Sequence, residues 1–322
     1  MIVRIVRIVR MVIVICMALW ISGCTTNQTA QMGKGAASYG LADNKGQIMV
    51  LKDKPQRIVS LGIAMDEILV DLVPAQRIAA LTYLADDGKI SNITAQAKKI
   101  PRRATADAEA IIKLQPDLVL VPDWQPVELI QILRDTGIPV YLYKAPKTVR
   151  EIRDVIAEIA GVVGEAQAGA QIIAEMETKL AAIRAKVSQI PGGRQPVVVR
   201  FSTMGVTGGK DSLFDDICRH AGVQNGAALA GLPTNGQLSK EQIVKVNPDV
   251  FLIPVADRSG RNADMRQFKA DLLADQALQA VTAIQQRRLV TVPDAYMYCS
   301  SQYIVNGVYA IAAAAYPQYF GQ

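Results

Sequence analysis

The chain is poor in the residues that most often carry chemistry: 322 residues hold one histidine, four cysteines and 5% aromatics. One histidine and widely scattered cysteines (16, 24, 218 and 299) exclude a zinc site with ordinary ligand spacing. A hydrolytic triad would have to use His220, which precedes Gly222 at the end of a helical pattern, where an imidazole near a helix C-terminus has a structural explanation. Neither catalysis nor a resident cofactor or metal is therefore expected. The glycine-rich run 205–212, GVTGGKDS, is no phosphate-binding loop, because Asp211 stands where Ser or Thr is required and Met204 where the first glycine belongs. No basic stripe with interleaved aromatics is present, which excludes nucleic acid as a partner.

Long apolar runs are scarce too, and the N-terminal one, residues 11–21, is eleven residues long, about half of what a membrane-spanning helix needs. It follows Arg4, Arg7 and Arg10 and ends in Ser22-Gly23-Cys24, so residues 1–23 read as a signal peptide. Ile-Ser-Gly-Cys resembles a bacterial lipobox, which makes Cys24 the lipidated first mature residue and a lipid anchor the expected membrane attachment. Losing three arginines from a stretch without acids lowers the formal charge from +6 to +3. Residues 24–46 are small and polar, a flexible tether. Cys218 and Cys299 would remain, either as one disulfide or as two separate buried thiols.

What the sequence does have is a long helical pattern and a repeat. Residues 165–187 contain no proline, and Ile173, Met176, Leu180, Ile183 and Val187 recur at spacings that put them on one helical face. GVVG at 161–164 separates this helix from an earlier one at 148–160, so the rod begins near Gly164. Residues 108–122, AEAIIKLQPDLVLVP, and 240–254, KEQIVKVNPDVFLIP, align without a gap at an offset of 132, sharing seven of fifteen positions. Two copies of one helix–turn–strand unit on either side of a rod imply two similar lobes.

The rest of the mature chain alternates strand and helix patterns. Apolar runs without strict alternation at 77–81, 117–121 and 139–143, then 197–201, 250–253 and 289–292, suit parallel strands covered on both faces. The fold class is therefore α/β, with two similar lobes of largely parallel sheet joined by one long rigid helix: a lobe over 47–162, a connector over 163–194 and a lobe over 195–322. In such sheets ligands bind beyond the carboxyl ends of the strands. Those ends carry Tyr83, Trp124, the loop 202–207, Arg258, and Tyr296 with Tyr298, which would converge on a cleft between the lobes.

RIVSLGIAMDEIL (57–69), DAEAIIKLQPDLVLV (107–121), the mid-chain helix, GGKDSLFDDICRHAGVQN (208–225) and LSKEQIVKVNPDVFLI (238–253) together resemble the helical-backbone substrate-binding proteins of ABC importers, the ferric siderophore, haem and cobalamin binding family. The resemblance implies little hinge movement and an exported, lipid-anchored monomer facing the periplasm or cell exterior. It would deliver a small-molecule metal chelate to permease subunits and their ATPase. It also maps Glu109 and Glu241 onto the glutamates that dock with the permease, leaving Asp66 and Glu67 as secondary candidates. Without a pocket histidine, haem iron would have only tyrosine phenolate as a ligand. A corrinoid would need aromatic walls alone, and Arg258 with Arg261 favours an anionic chelate. The expected ligand is thus an iron complex, ferric siderophore or haem, with a corrinoid as the alternative; a metal-dependent enzyme on a related two-lobed scaffold is the competing class.

Overall fold

A computed structural model of the protein describes residues 39–234, 236–257 and 263–320. Cys16, Cys24, Arg258 and Arg261 lie outside the described residues, as does the lipidation expected at Cys24. The described chain opens with β1 (Tyr39–Ala42), paired antiparallel with β2 (Ile48–Leu51). This corrects the expected tether: it does not run to residue 46, because residues 39–42 find a partner strand just beyond the turn.

Strands β3 (Ile58–Ser60), β4 (Ile78–Thr82), β5 (Arg103–Ala104), β6 (Leu118–Pro122) and β7 (Val140–Tyr143) form a parallel sheet in the order β5-β4-β3-β6-β7. The second sheet takes β8 (Val197–Ser202), β10 (Gln224–Asn225), β11 (Val250–Pro254) and β12 (Leu289–Val292) in the order β10-β8-β11-β12, all parallel, while β9 (Gly205–Val206) folds back antiparallel on β8. The run β4-β3-β6-β7 of the first sheet is matched by β10-β8-β11-β12 of the second, so the repeated motif sits in the same place in each.

The repeat has a physical cause. In each copy a short helix, Ala108–Lys113 or Lys240–Val246, ends and the chain turns through a left-handed residue, Gln115 at φ 50° or Asn247 at φ 48°. The aspartate of each Pro-Asp pair then secures the start of the neighbouring parallel strand. Asp117 accepts from the Gln56 and Arg57 amides at 2.6 and 2.8 Å, and Asp249 accepts from the Val197 amide at 2.7 Å. Those amides precede or begin a strand, so an unpaired donor would be left without the carboxylate.

Both sheets are covered on both faces, as the unbroken apolar runs require. Along β6, Leu118 and Leu120 face a core that continues through both lobes, while Val119 and Val121 face a separate outer core; along β11, Val250 and Leu252 face the shared core, and Phe251 and Ile253 a third. Each of these eight side chains is fully buried, contributing roughly 1.5–3 kcal/mol apiece.

The connecting helix, Ala166–Ser188, packs Met176, Leu180 and Ile183 into the shared core, with Ile173 and Val187 half-buried beside it. Its predecessor, Val149–Val162, is stopped by Gly164, whose φ of 74° favours glycine. Arg77 clamps this junction to the first lobe: its guanidinium donates to the Pro55 carbonyl at 2.7 Å, the Val163 carbonyl at 2.6 Å and Glu165 at 2.6 Å. From the other lobe, Asp216 accepts from the Val149 amide at 2.7 Å, satisfying one of the open donors at that helix start. Among the described residues no helix is long and apolar enough to cross a membrane.

Candidate functional site

Tyr83 follows β4 and Trp124 follows β6, at the carboxyl edge of the first sheet and on either side of β3, about 10 Å apart in strand spacing. They are 64% and 65% exposed, unusually open for rings that bury most of their surface elsewhere in proteins. At the carboxyl edge of the second sheet, Tyr296 lies in the short helix Asp294–Met297 just after β12, and Tyr298 caps that helix. Asp294 starts the turn by accepting from the Val255 and Ala256 amides beyond β11, tying two strand ends together. The turn lies flat on the helix Ile304–Ala315 because Gly307 has no side chain: a Cβ there would stand 2.4 Å from the Tyr296 carbonyl oxygen.

Tyr298 does not simply face outward. The Arg200 guanidinium carbon sits 4.6 Å from the Tyr298 ring centroid and 4.9 Å from that of Phe214, and its Nη2 donates to Thr207 Oγ1 at 3.1 Å. A cation placed between two rings fixes both. Arg200 is almost wholly buried on β8, and the charged residue inside VVVRF was its only sequence signal.

The two strand-end regions meet through backbone. The Ala295 amide donates to the Lys89 carbonyl at 3.0 Å, and Asn92 Nδ2 donates to the Ala295 carbonyl at 2.9 Å. Beside this junction a cavity of about 430 Å³ is lined by Lys89 from the first lobe and by Val255, Ala256, Asp257 and Met265 from the second.

Asp66 and Glu67, the secondary docking candidates, are buried at 0% and 2% exposure and are corrected to internal residues. Asp66 accepts from the Thr82 amide and hydroxyl, and burial pushes its carboxyl up to about 7. Glu67 accepts from the Asn92 amide and side chain at 2.9 and 2.8 Å and from Ser301 Oγ at 2.6 Å, and burial raises its carboxyl as well. Sequence reasoning missed these roles because an acidic pair early in a helix ordinarily complements the dipole from the surface.

Glu109 and Glu241 are both exposed, each the second residue of its helix, behind capped starts: Asp107 accepts from the Ala110 amide, and Ser239 forms a capping box with Gln242. Hydrogen bonding, first from the Ser239 hydroxyl, holds the Glu241 carboxyl below its usual range. Cys218 and Cys299 are both free and buried, which decides against the disulfide. His220 ends the helix Leu213–His220 with Asp216 at 3.7 Å, and burial lowers its pKa, so the structural explanation suffices. No three His, Cys, Asp or Glu residues gather to hold a metal ion among the described residues.

A family model described as periplasmic binding protein matches residues 58–296. The cobalamin-binding protein of Halobacterium salinarum is 27% identical over 222 residues, covering 67% of this chain; the chain spans only 58% of that relative's length. A Bacillus subtilis protein named as an ABC transporter substrate-binding lipoprotein, YvrC, is 25% identical over 288 residues, 86% of this chain and 85% of its own. Among solved structures, the periplasmic heme-binding protein RhuT of Roseiflexus sp. RS-1 in apo form superposes with a TM-score of 0.68 at 25% identity, covering 81% of this chain and 98% of that one. With the match spanning both sheets and the helix between them, the chain belongs to the periplasmic binding protein family.

Proposed function

We propose that this protein is the substrate-capturing lipoprotein of an ABC importer, and that its ligand is a corrinoid held by aromatic surfaces at the carboxyl edges of the two sheets. The observation that carries this is the exposure of Tyr83 and Trp124, which flank β3 at the edge where open α/β sheets bind ligands. Flat rings offered to solvent on a rigid sheet suit a broad, hydrophobic macrocycle, and no protein–metal bond is needed to hold it. The cobalamin-binding relative supports this choice over the iron complexes that sequence placed first. Haem is the second reading, favoured by the open Tyr83 phenol as an oxygen ligand for iron. Anchoring through Cys24 and delivery through Glu109 and Glu241 complete the role.

The test is the absorption spectrum and native mass of protein purified from its own host. Corrin bands with a matching mass increment are expected; a Soret band selects haem, and protein with neither chromophore that also takes up neither when supplied would reject this ligand class.

A further inference from the structure

Glu67 does more than fill the core. Its Oε1 accepts from the Asn92 amide at 2.9 Å and from Asn92 Nδ2 at 2.8 Å, and Nδ2 also reaches the Ala295 carbonyl of the second lobe at 2.9 Å. Its Oε2 accepts from Ser301 Oγ at 2.6 Å and from Cys299 Sγ at 3.4 Å, both in the second lobe. Its own carbonyl accepts from Gln302 Nε2 at 2.6 Å, and Gln302 and Tyr303 both donate to Asp71, one turn further along the same helix, Ile63–Leu72. One carboxylate of the first lobe thus gathers residues 295–301, the segment that carries Tyr296 and Tyr298. Among the described residues Asp66, its neighbour, bonds within its own lobe, to Thr82 beside Tyr83.

We propose that Glu67 is the positioning residue of the binding site: an interlobe latch that holds the Tyr296–Tyr298 wall at a fixed distance from the Tyr83–Trp124 wall. This rests on the corrinoid reading for what the site holds, but the latch itself does not. Both oxygens of the Glu67 carboxylate are paired, and a buried contact so held is rigid and loosens when its central acceptor is removed. Loss of the latch frees the segment, and Cys299 within it reports that release without any ligand.

The experiment compares wild type with Glu67→Ala, Glu67→Gln and Asp66→Asn, each as the mature chain. Labelling of Cys299 by a thiol reagent is followed by peptide mapping, with buried Cys218 as the internal reference, and cyanocobalamin affinity is measured beside it. Glu67→Ala should label Cys299 about ten-fold faster or more, with Cys218 unchanged, because local opening replaces global unfolding as the route of access. It should also weaken the corrinoid. Glu67→Gln, which keeps the Asn92 acceptor, should restore much of both, and Asp66→Asn should leave Cys299 protected. If Glu67→Ala does not fold, Asn92→Ala cuts the link to Ala295 from a less buried position and should show the same selective release. Equal protection of Cys299 in wild type and in the folded Glu67→Ala or Asn92→Ala variant overturns the latch. Wild type that binds no cyanocobalamin overturns the corrinoid reading instead, and the thiol arm still decides the latch.

Discussion

Asp107 and Ser239, 132 residues apart, cap equivalent helices: Asp107 accepts from the Ala110 amide at 2.7 Å and Ser239 from the Gln242 amide at 3.2 Å. Each cap places a glutamate, Glu109 or Glu241, one position into its helix with its side chain in solvent. Carboxylates at matching points of two lobes offer a two-point contact that orients a cleft and speeds encounter with basic surfaces. Glu109→Lys with Glu241→Lys should leave ligand affinity in solution unchanged and abolish uptake in reconstituted vesicles; uptake at the wild-type rate would rule out docking through this pair.

Replacement of Trp124 or Tyr298 by alanine should weaken corrinoid binding by about 1–3 kcal/mol, the range for rings stacked on flat bases. Trp124 is mostly exposed, so its variant should melt with the wild type, whereas Tyr298→Ala also removes the ring against Arg200 and should lower the melting temperature. Calorimetry reads both effects in one preparation.

The junction before the connecting helix depends on Arg77, which donates to two backbone carbonyls and to Glu165. Arg77→Leu strands those carbonyls and should cost about 2–4 kcal/mol in urea unfolding, since unmet buried acceptors carry their full desolvation penalty. Lys54 also reaches Glu165, at 3.2 Å, but is exposed, and Lys54→Ala should cost far less. Equal losses in the two variants would contradict the clamp.

Much of this was legible in sequence, and what was not has particular causes. The stripe Met176, Leu180 and Ile183 and the twin Pro-Asp motifs were readable because period and register are local properties. Nothing in YGLA announces β1, which exists only through its pairing with β2. Arg200 and Tyr298 meet across 98 residues, and Glu67 and Ser301 across 234, so neither partnership leaves a local trace. The acidic pair at 66–67 therefore read as surface. Cys218 and Cys299 left two outcomes open because spacing carries no distance, and Cys299 is engaged with Glu67 and Ser301 instead.

Asp66 gives the protein a pH signature. Burial disfavours the charge and pushes its folded carboxyl up to about 7 from an ordinary 3.8, so the folded state holds a proton that the unfolded chain releases. Its contribution to stability is complete below about 4 and is lost as pH rises through about 7. The melting temperature of wild type minus that of Asp66→Asn should be greatest near pH 4 and should shrink steadily towards pH 8. A difference independent of pH would show that Asp66 does not titrate in this window.

Binding itself is tested most directly through Trp124, one of two tryptophans and the one that remains once residues 1–23 are removed. Titration of the mature chain with cyanocobalamin, with haemin in parallel, should quench Trp124 fluorescence to saturation at one corrinoid per protein, and Tyr83→Ala should weaken the response. Fluorescence that stays unquenched, with no bound corrinoid after gel filtration, would contradict capture of a corrinoid at the strand ends.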